Sequence, residues 1–407
     1  MSPNRTVVAV GTLDTKGAEY AFLRERLLEH GVDVILVDAG VLGEPTTDAD
    51  VTRDEVASAA GADLAALVEA ADRGAAVETM SRGAAEVVAR LHREGRLDGV
   101  VGMGGTGGTS LVSHAMQQLP VGVPKLLVST VASGDTRPYV GAVDIAMMYS
   151  VVDVAGVNQI SARIIGNAAA AIAGMAQATI PLPEQTRPLI GASMFGVTTP
   201  CVTAARERLE DLGYEILVFH QTGTGGQSME ELVRAGFIKG LLDVTTTELC
   251  DELVGGVLRA HPKRLEVAGE LGVPQVVSLG ALDMVNFGPM DTVPEPFRSR
   301  NLYVHNPTVT LMRTTPEECA ELGRRVARKL SGAKGPTALF VPLRGISMIA
   351  TEGGPFYDPA ADEALFAAVR ENLGPNVELH ELDTDVNDPR FALAMADRLH
   401  EMLKEAG

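Results

Sequence analysis

Short runs of β-branched and other apolar residues alternate with helical patterns along almost the whole chain. A strand, a helix and a second strand in that order form a parallel pair, because the helix carries the chain back along the sheet. The pattern predicts an α/β fold of two similar Rossmann-like subdomains, with mainly parallel sheets and a crevice between them. The predicted strands are TVVAVG, DVILVD, GVVGM and KLLVST in the first half, and PLIGAS, EILVFH, IKGLLDV, PQVVSL, ALFVPL and NVELHEL in the second.

The two halves also share sequence. RERLLEHGVDVILVD from Arg24 is similar to RERLEDLGYEILVFH from Arg206, and GVPKLLVST from Gly122 is similar to GVPQVVSLG from Gly272. A third pair, TGGTS and TGGQS, follows a different predicted strand in each half. An ancient duplication explains these matches economically, and convergent α/β composition is the alternative explanation for part of the likeness.

The length of 407 residues also favours two domains, because a single hydrophobic core rarely serves more than about 250–300 residues. The prolines and polar residues of Pro181 to Pro188 separate a predicted helix from a predicted strand. We therefore expect domains at residues 1–183 and 184–407, with the boundary in this segment.

Charge and cysteine content exclude several functions. The net charge of −19 repels polyanions, so we expect neither nucleic-acid binding nor attachment to an anionic membrane. The three cysteines, Cys201, Cys250 and Cys319, lie far apart and show no disulfide or zinc spacing, which suits a reducing cytoplasm. The N-terminus runs directly into a strand pattern, and Ile164 to Ile180 is too polar and alanine-rich to cross a bilayer. These features predict a cytoplasmic protein.

The stretch VVGMGGTGGTS, Val100 to Ser110, partly fits two phosphate-binding patterns. It has the glycines of a dinucleotide-binding loop, but no acidic residue follows about twenty positions later to bind a ribose. It also fits a P-loop, except that Gly108 occupies the lysine position, so Lys16 from a neighbouring loop is the candidate for the missing charge. We predict an anion site here, formed by Gly104, Gly105, Thr106, Gly107, Gly108 and Thr109. The alternative is that the glycines only permit a tight strand-to-helix turn.

Two further polar loops in the first half are candidate binding elements. DTKG places Asp14, Thr15 and Lys16 just before a helix predicted from about Ala18 to His30, where an N-cap is the simpler interpretation. In SGDTRPY, the side chains of Ser133, Asp135 and Arg137 cluster, and the guanidinium can bind a carboxylate or phosphate. An Asp–Arg surface pair is the alternative interpretation for this loop.

In the second half, HQTGTGGQS supplies a second glycine loop with Gly223, Gly225 and Gly226. His220 and His305 follow strand-like runs, and DVTTTEL places Glu248 beside three threonines as a possible general base, with helix capping by Thr247 as the alternative. No histidine pair has the spacing of a helical metal site, so no metal site is predicted. The long segment RGISMIATEGGPFYDP, Arg344 to Pro359, either covers a site or is a surface excursion.

Gly166, Ala170 and Gly174 recur every four residues in a predicted helix and form a face of small residues. Such a face lets another helix approach closely. Packing inside the domain is the favoured interpretation, and contact across a dimer is the alternative.

With VGTLDTKGAEYAFLRERL, VDAGVLGEP, GMGGTGGTS and VPLRGISMI in the same order, the chain resembles a known family over almost its full length. It is similar to the ATP-binding region of the tomato mosaic virus resistance protein and to the stand-alone bacterial relatives of that region. The resemblance implies two α/β subdomains, dimerisation and nucleotide binding. In the plant protein the region also engages a viral replication protein and precedes a barrel-like domain. This chain ends at Gly407 without that barrel, so we do not expect the antiviral role.

GTLDTKG opens the pattern of this family, so the resemblance makes Asp14, Thr15 and Lys16 ligand-site candidates. It implies ATP as the cofactor, with or without Mg²⁺, and a homodimer. We expect an enzyme that acts on a small anionic or phosphorylated substrate, with a second ligand near His220, Glu248 and His305. The alternative is a nucleotide-responsive binding or regulatory module without turnover.

Overall fold

The computed structural model describes residues 4–180 and 187–406. The chain folds into two units, Met1–Leu182 and Pro183–Gly407, each packed mainly against itself. We call them the N-terminal unit and the C-terminal unit. Most of the segment expected to hold the boundary, residues 181–186, lies outside the described residues.

The N-terminal unit is built around one five-stranded sheet. Its strand order is β2-β1-β3-β4-β5, and all neighbouring strands are parallel. Its elements are β1 (Thr6–Gly11), α1 (Leu13–Glu29), β2 (Asp33–Asp38), α2 (Arg53–Ala59), α3 (Leu64–Ala70), α4 (Arg73–Arg93), β3 (Gly99–Gly104), α5 (Thr106–Gln117), β4 (Lys125–Ser129), α6 (Arg137–Val140), β5 (Ala146–Tyr149) and α7 (Gln159–Gln177).

Helices cover both faces of this sheet. Successive side chains of a strand point to opposite faces, so Val7 and Ala9 of β1 pack with α1 and α7 on one side. Val8 and Val10 pack with α4 and α5 on the other. This arrangement explains why β1 is an unbroken apolar run rather than an alternating one.

The C-terminal unit has a six-stranded parallel sheet and a smaller antiparallel one. The strand order of the larger sheet is β14-β13-β9-β8-β6-β7, and the smaller sheet has the order β10-β12-β11. The elements are β6 (Leu189–Met194), α8 (Thr199–Asp211), β7 (Glu215–His220), α9 (Thr224–Arg234), β8 (Ile238–Thr245), α10 (Glu248–Val254), α11 (Val267–Leu271), β9 (Gln275–Gly280), β10 (Met284–Phe287), β11 (Leu302–Asn306), β12 (Val309–Arg313), α12 (Pro316–Ser331), β13 (Thr337–Pro342), α13 (Pro359–Asn372), β14 (Glu378–Leu382) and α14 (Pro389–Ala406), with short 3₁₀ helices at Gly196–Thr198, Met290–Thr292 and Glu295–Phe297.

The two parallel sheets share a topology. When the strands of each parallel sheet are numbered in chain order, the first five have the order 2-1-3-4-5 in both units, and the C-terminal unit adds a sixth strand at the edge. The first two sequence matches fall on equivalent elements: α1–β2 corresponds to α8–β7, and β4 corresponds to β9. TGGTS follows the third strand of its sheet and TGGQS follows the second, so these two loops are not equivalent. The predicted class, two α/β subdomains with mainly parallel sheets, is confirmed.

Two sets of strands were not predicted. β5 is a short edge strand whose residues are not fully buried, so it lacks the apolar run that marks β1 and β3. β10 lies within GALDMVNFGP, where no strand was predicted. β11 contains the strand-like run before His305, although it was not among the predicted strands, and it forms a hairpin with β12 beside β10. Packing of the hairpin on the core around Met284 and Phe287 stabilises these short strands.

The small-residue face of α7 does not pack inside the described part of the chain. Ala170 and Gly174 are exposed, and a Cβ built on Gly166 or Gly174 would meet no heavy atom within 4 Å. The favoured expectation of close packing within the domain is therefore wrong, because α7 turns its opposite face, including Ile165 and Ile172, toward the sheet. None of the described helices combines the length and hydrophobicity needed to span a bilayer.

Candidate functional site

The N-terminal unit contains a cavity of about 460 Å³ at the carboxyl edge of its sheet. In the strand order β2-β1-β3-β4-β5, the chain leaves β1 toward one edge of the sheet and leaves β3 toward the other. The two connections diverge at such a switch point and leave a crevice, which is where open parallel sheets bind ligands. The cavity walls come from the residues after β1, β2 and β3, from the start of α4, and from Asp153 after β5.

The first glycine loop forms one wall of this cavity. β3 ends at Gly104 and α5 begins at Thr106, so the N-cap is Gly105, which has no side chain to cap the helix. Thr106, Gly107 and Gly108 occupy the first turn of α5, where amides have no partner within the helix, and all three line the cavity. The helix therefore presents uncapped N–H groups and the positive end of its dipole to the cavity.

The glycines of this loop differ in whether the surrounding structure leaves room for a side chain. A Cβ on Gly104 would lie 3.0 Å from the Cα of Gly108, so glycine there permits the close strand–helix approach. A Cβ on Gly107 would meet nothing within 4 Å, and its φ lies outside the left-handed region. Neither contacts nor backbone conformation in the described chain demand glycine at Gly107. Thr109 has a different role, because its buried hydroxyl lies 2.6 Å from the Ser129 hydroxyl.

The DTKG residues lie within α1, not before it. The helix begins at Leu13, and its backbone is interrupted at Lys16, with φ −130° and ψ 18°. Neither Asp14 nor Thr15 is the N-cap; that position belongs to Thr12, which makes no side-chain cap. Asp14, Thr15 and Lys16 all line the cavity, and the Lys16 ammonium donates a hydrogen bond to the Val154 carbonyl. The sequence predicted a start near Ala18, which is too late, because the irregular backbone at Lys16 separates the first turn from the rest of the helix.

Asp14 holds the loop that follows β2. Its carboxylate accepts hydrogen bonds from the amides of Leu42, at 2.6 Å, and Gly43, at 3.3 Å. Val41 and Leu42 line the cavity beside Ala76 and Val77 of α4. One wall of the cavity is therefore apolar, while the walls from the glycine loop and α1 are polar.

The third candidate loop of the first half is a surface pair. Arg137 donates two hydrogen bonds to the Asp135 carboxylate, at 2.8 and 2.7 Å, and the two side chains are 83% and 54% exposed. These hydrogen bonds lower the pKa of Asp135 to about 2. Ser133, Asp135 and Arg137 are not among the residues that line the cavity.

Sequence reasoning missed two charged residues of the cavity, Arg73 and Asp153. Arg73 is the first residue of α4, and Asp153 lies in an irregular segment between β5 and α7. Neither belongs to a recognisable motif, so only their position in the fold could reveal them.

The second glycine loop is occupied by a side chain of the same unit. The amides of Gly223 and Gly226 donate to the Glu248 Oε1 atom, at 2.6 and 3.3 Å. A Cβ on Gly226 would lie 2.2 Å from the Glu248 Oε2 atom, and one on Gly225 would lie 1.8 Å from the His220 carbonyl oxygen. In this loop the glycines make room for an internal carboxylate and for the local backbone, so these amides are not free for an external phosphate.

Glu248 belongs to a buried ionic cluster. Its Oε2 atom accepts a hydrogen bond from Arg264 Nε at 3.1 Å, and Arg264 Nη2 donates to the Asp243 Oδ1 atom at 2.7 Å. Glu230 lies 3.6 Å from the same guanidinium. Three carboxylates share one cation, and burial raises the pKa of Glu248 and raises that of Glu230 to about 7. These contacts give Glu248 a structural role. Thr247 precedes α10 but makes no side-chain cap, so the capping interpretation is wrong as well.

The three residues proposed for catalysis lie on different elements and differ in burial. His220 is exposed at the end of the edge strand β7, and its ring stacks on Phe195 with centroids 5.2 Å apart. His305 is exposed on β11 of the small antiparallel sheet, while Glu248 is fully buried. Among the described residues, no cluster of three or more His, Cys, Asp or Glu side chains is placed to hold a metal ion.

The C-terminal unit has its own cavity, of about 610 Å³, near the ends of β13 and β14. The segment Arg344 to Pro359 contributes Arg344, Thr351, Glu352, Tyr357 and Pro359 to its walls. This segment therefore borders a cavity, and Arg344 is held there by an ion pair with Asp383.

The fold and the first cavity define an α/β protein of two parallel-sheet units, with a polar, glycine-lined crevice at the switch point of the first. The model of the uncharacterised protein family UPF0261 N-terminal domain matches residues 5–181, and that of the C-terminal domain matches residues 187–403. The chain belongs to the UPF0261 family.

The relatives of this chain include bacterial and plant proteins. A UPF0261 protein of Clostridium tetani is 51% identical over 403 residues, which cover 99% of this chain and 100% of the relative. A UPF0261 protein of Rhizobium meliloti is 47% identical over 394 residues, covering 96% of this chain and 97% of that protein. The ToMV susceptible protein tm-1(GCR26) of Solanum lycopersicum is 38% identical over 423 residues, covering 98% of this chain but 56% of the tomato protein. The family resemblance is confirmed.

Some solved structures show a distant likeness to this chain. The UDP-N-acetylglucosamine 2-epimerase from Rickettsia bellii aligns with 99% of this chain and 97% of that chain, at 10% identity and a TM-score of 0.24. A match at this level carries no inference about activity.

Proposed function

We propose that the N-terminal unit binds ATP or a closely related phosphorylated ligand in the cavity at the β1/β3 switch point. The observation that carries the proposal is the uncapped first turn of α5, whose residues Thr106, Gly107 and Gly108 line the cavity. Free amides and a helix dipole together bind phosphate. Lys16 lines the same cavity and supplies a positive charge that the glycine loop itself lacks.

The cavity suits a ligand with an apolar part and an anionic part. Its volume of about 460 Å³ lies within the range of about 300–1,000 Å³ of small-molecule sites. The apolar wall of Val41, Leu42 and Val77 would face a nucleoside base, while the α5 amides would face the phosphates. Mg²⁺ is usually held by one or two carboxylates together with substrate phosphates, and Asp153 would be its protein ligand here.

We further propose that the protein is an enzyme of small-molecule metabolism and a homodimer. The second cavity, in the C-terminal unit, offers a place for another substrate, which a sensor of one nucleotide does not need. The exposed face of α7 around Ala170 and Gly174 is the candidate dimer contact. Screening the purified protein for ATP hydrolysis, alone and with pooled keto acids and sugar phosphates, tests for turnover. No stimulated hydrolysis with any pool would favour the regulatory module.

Thermal shift tests the binding proposal. A ligand that binds only the folded state stabilises it by about 2.7 kcal/mol at a hundred times its dissociation constant, so ATP is expected to raise the melting temperature. Lys16→Ala removes the cation, and Gly107→Val places a branched side chain in open space beside the amides. Both variants are expected to stay folded and to lose most of the shift, with Lys16→Ala losing more for ATP than for adenosine.

Lys404→Ala is the matched control, because Lys404 is an exposed lysine of α14 in the C-terminal unit. It is expected to keep the full ATP shift. An undiminished shift in both Lys16→Ala and Gly107→Val would move the nucleotide out of this cavity. No shift with any nucleotide would reject ATP as the ligand.

A further inference from the structure

A second cationic side chain lines the cavity of the N-terminal unit. Arg73 is the first residue of α4, directly after the N-cap Asp72, whose carboxylate accepts a hydrogen bond from the Ala75 amide at 3.1 Å. Arg73, Ala76 and Val77 all line the cavity. Residues three and four apart share one face of a helix, so the first two turns of α4 present this face to the ligand space.

The charge of Arg73 is not neutralised by the ion pairs described in this unit. Some exposed arginines there have carboxylate partners, as in Arg93 with Glu86, and others, such as Arg82, have none among the described ion pairs. Arg73 differs from Arg82 because it lines the cavity. The ion pairs described for residues 4–180 leave out both Arg73 and Lys16. Two cations that form no ion pair within the described residues therefore border one cavity, which Asp14 and Asp153 also line.

We propose that Arg73 binds phosphate oxygens beyond the first phosphate, so that the cavity selects nucleoside di- and triphosphates over monophosphates. This inference rests on the proposed nucleotide binding. The amides of the α5 first turn and Lys16 are enough donors for a single phosphate group. A further phosphate brings further negative charge, and the fork of a guanidinium matches two phosphate oxygens at once. The Arg73 side chain, on a different helix from either of these donors, is placed to recognise the length of the phosphate chain.

The test compares AMP, ADP and ATP by isothermal titration calorimetry, with wild type and Arg73→Ala. Hydrogen bonds to charged groups contribute enough to change affinity about ten- to hundredfold. Arg73→Ala is therefore expected to weaken ATP binding by about that factor and AMP binding by less than about twofold. Arg73→Lys keeps the charge without the fork, so it is expected to fall between wild type and Arg73→Ala.

Arg82→Ala is the matched control. Arg82 is exposed on the same helix, nine residues further along, which places it on about the opposite face of α4. It is expected to leave all three affinities unchanged. The unliganded melting temperatures of the variants verify that each is folded, and Arg73 is an exposed residue whose replacement leaves the core intact.

The outcomes separate the two proposals. If Arg73→Ala has the same ratio of ATP to AMP affinity as wild type, the proposed role of Arg73 is overturned. This holds whether both affinities fall together or neither falls, and nucleotide binding itself still stands. No heat of binding for any nucleotide in wild type overturns the proposed function, and this inference with it. A selective loss for ATP, absent in Arg82→Ala, supports the inference.

Discussion

Alanine substitutions at Gly226 and Gly107 test the distinction between a filled glycine loop and an open one. Both glycines lie in the first turn of a helix, α9 and α5 respectively. A Cβ on Gly226 would lie 2.2 Å from Glu248 Oε2, 2.7 Å from Arg264 Nε and 2.8 Å from Gln221 Oε1. A Cβ on Gly107 would meet nothing. The same chemical change is therefore expected to have opposite consequences.

The contacts give the magnitudes. Glu248, Arg264 and Gln221 are at most 1% exposed, so none can swing into solvent to relieve the overlap. Overpacking costs about 1–3 kcal/mol, and disrupting a buried ion pair costs about 3–5 kcal/mol. We expect Gly226→Ala to lower the free energy of unfolding by about 3–5 kcal/mol. Alanine is a better helix former than glycine by about 1 kcal/mol, so Gly107→Ala is expected to leave stability unchanged or raise it by up to about 1 kcal/mol.

Urea unfolding followed by circular dichroism measures both effects. With a denaturant slope of about 1–3 kcal/mol/M, Gly226→Ala is expected to move the transition of the C-terminal unit down by at least about 1 M. Gly107→Ala is expected to move no transition downward. A Gly226→Ala protein as stable as wild type would refute the reasoning, because Glu248 would then not require the space left by that glycine. Equal destabilisation by both variants would refute it as well.

Two further predictions concern pH and assembly. Burial raises the pKa of Glu230 from 4.5 to about 7. The folded state therefore binds a proton at Glu230 more tightly than the unfolded state does. This difference contributes fully to the free energy of unfolding below about pH 4.5, and the contribution is lost as the pH rises through 7. The shift in pKa corresponds to about 3 kcal/mol. The urea midpoint of wild type is therefore expected to be lower at pH 7.5 than at pH 5.5, and that of Glu230→Gln is expected to vary less between the two. An equal change in midpoint for both proteins would contradict the assignment of this pH dependence to Glu230. Light scattering is expected to show a dimer, and Ala170→Arg, which places a charge on the exposed face of α7, is expected to give a monomer. A monomeric wild type at micromolar concentration, or a dimeric variant, would remove that face as the contact.

The sequence predicted the elements that local patterns specify. The six strands of the larger sheet in the C-terminal unit and four of the five in the N-terminal unit were found where apolar runs alternate with helical patterns. The glycine loop after β3 does open a helix, as its composition suggested. Such features depend on residues that are close together in the sequence, so the sequence alone is enough to predict them.

What only the tertiary structure decided is which loop is open. GMGGTGGTS and HQTGTGGQS look alike as sequences, yet Glu248 fills the second from a position 22 residues beyond Gly226, while the amides of the first face a cavity. The same holds for Arg73, which lines the cavity because α4 packs beside α5. It also holds for Ala170, which is exposed because α7 turns its opposite face toward the sheet. Whether an amide or a side chain is free depends on groups distant in sequence, and only the packed fold brings those groups together.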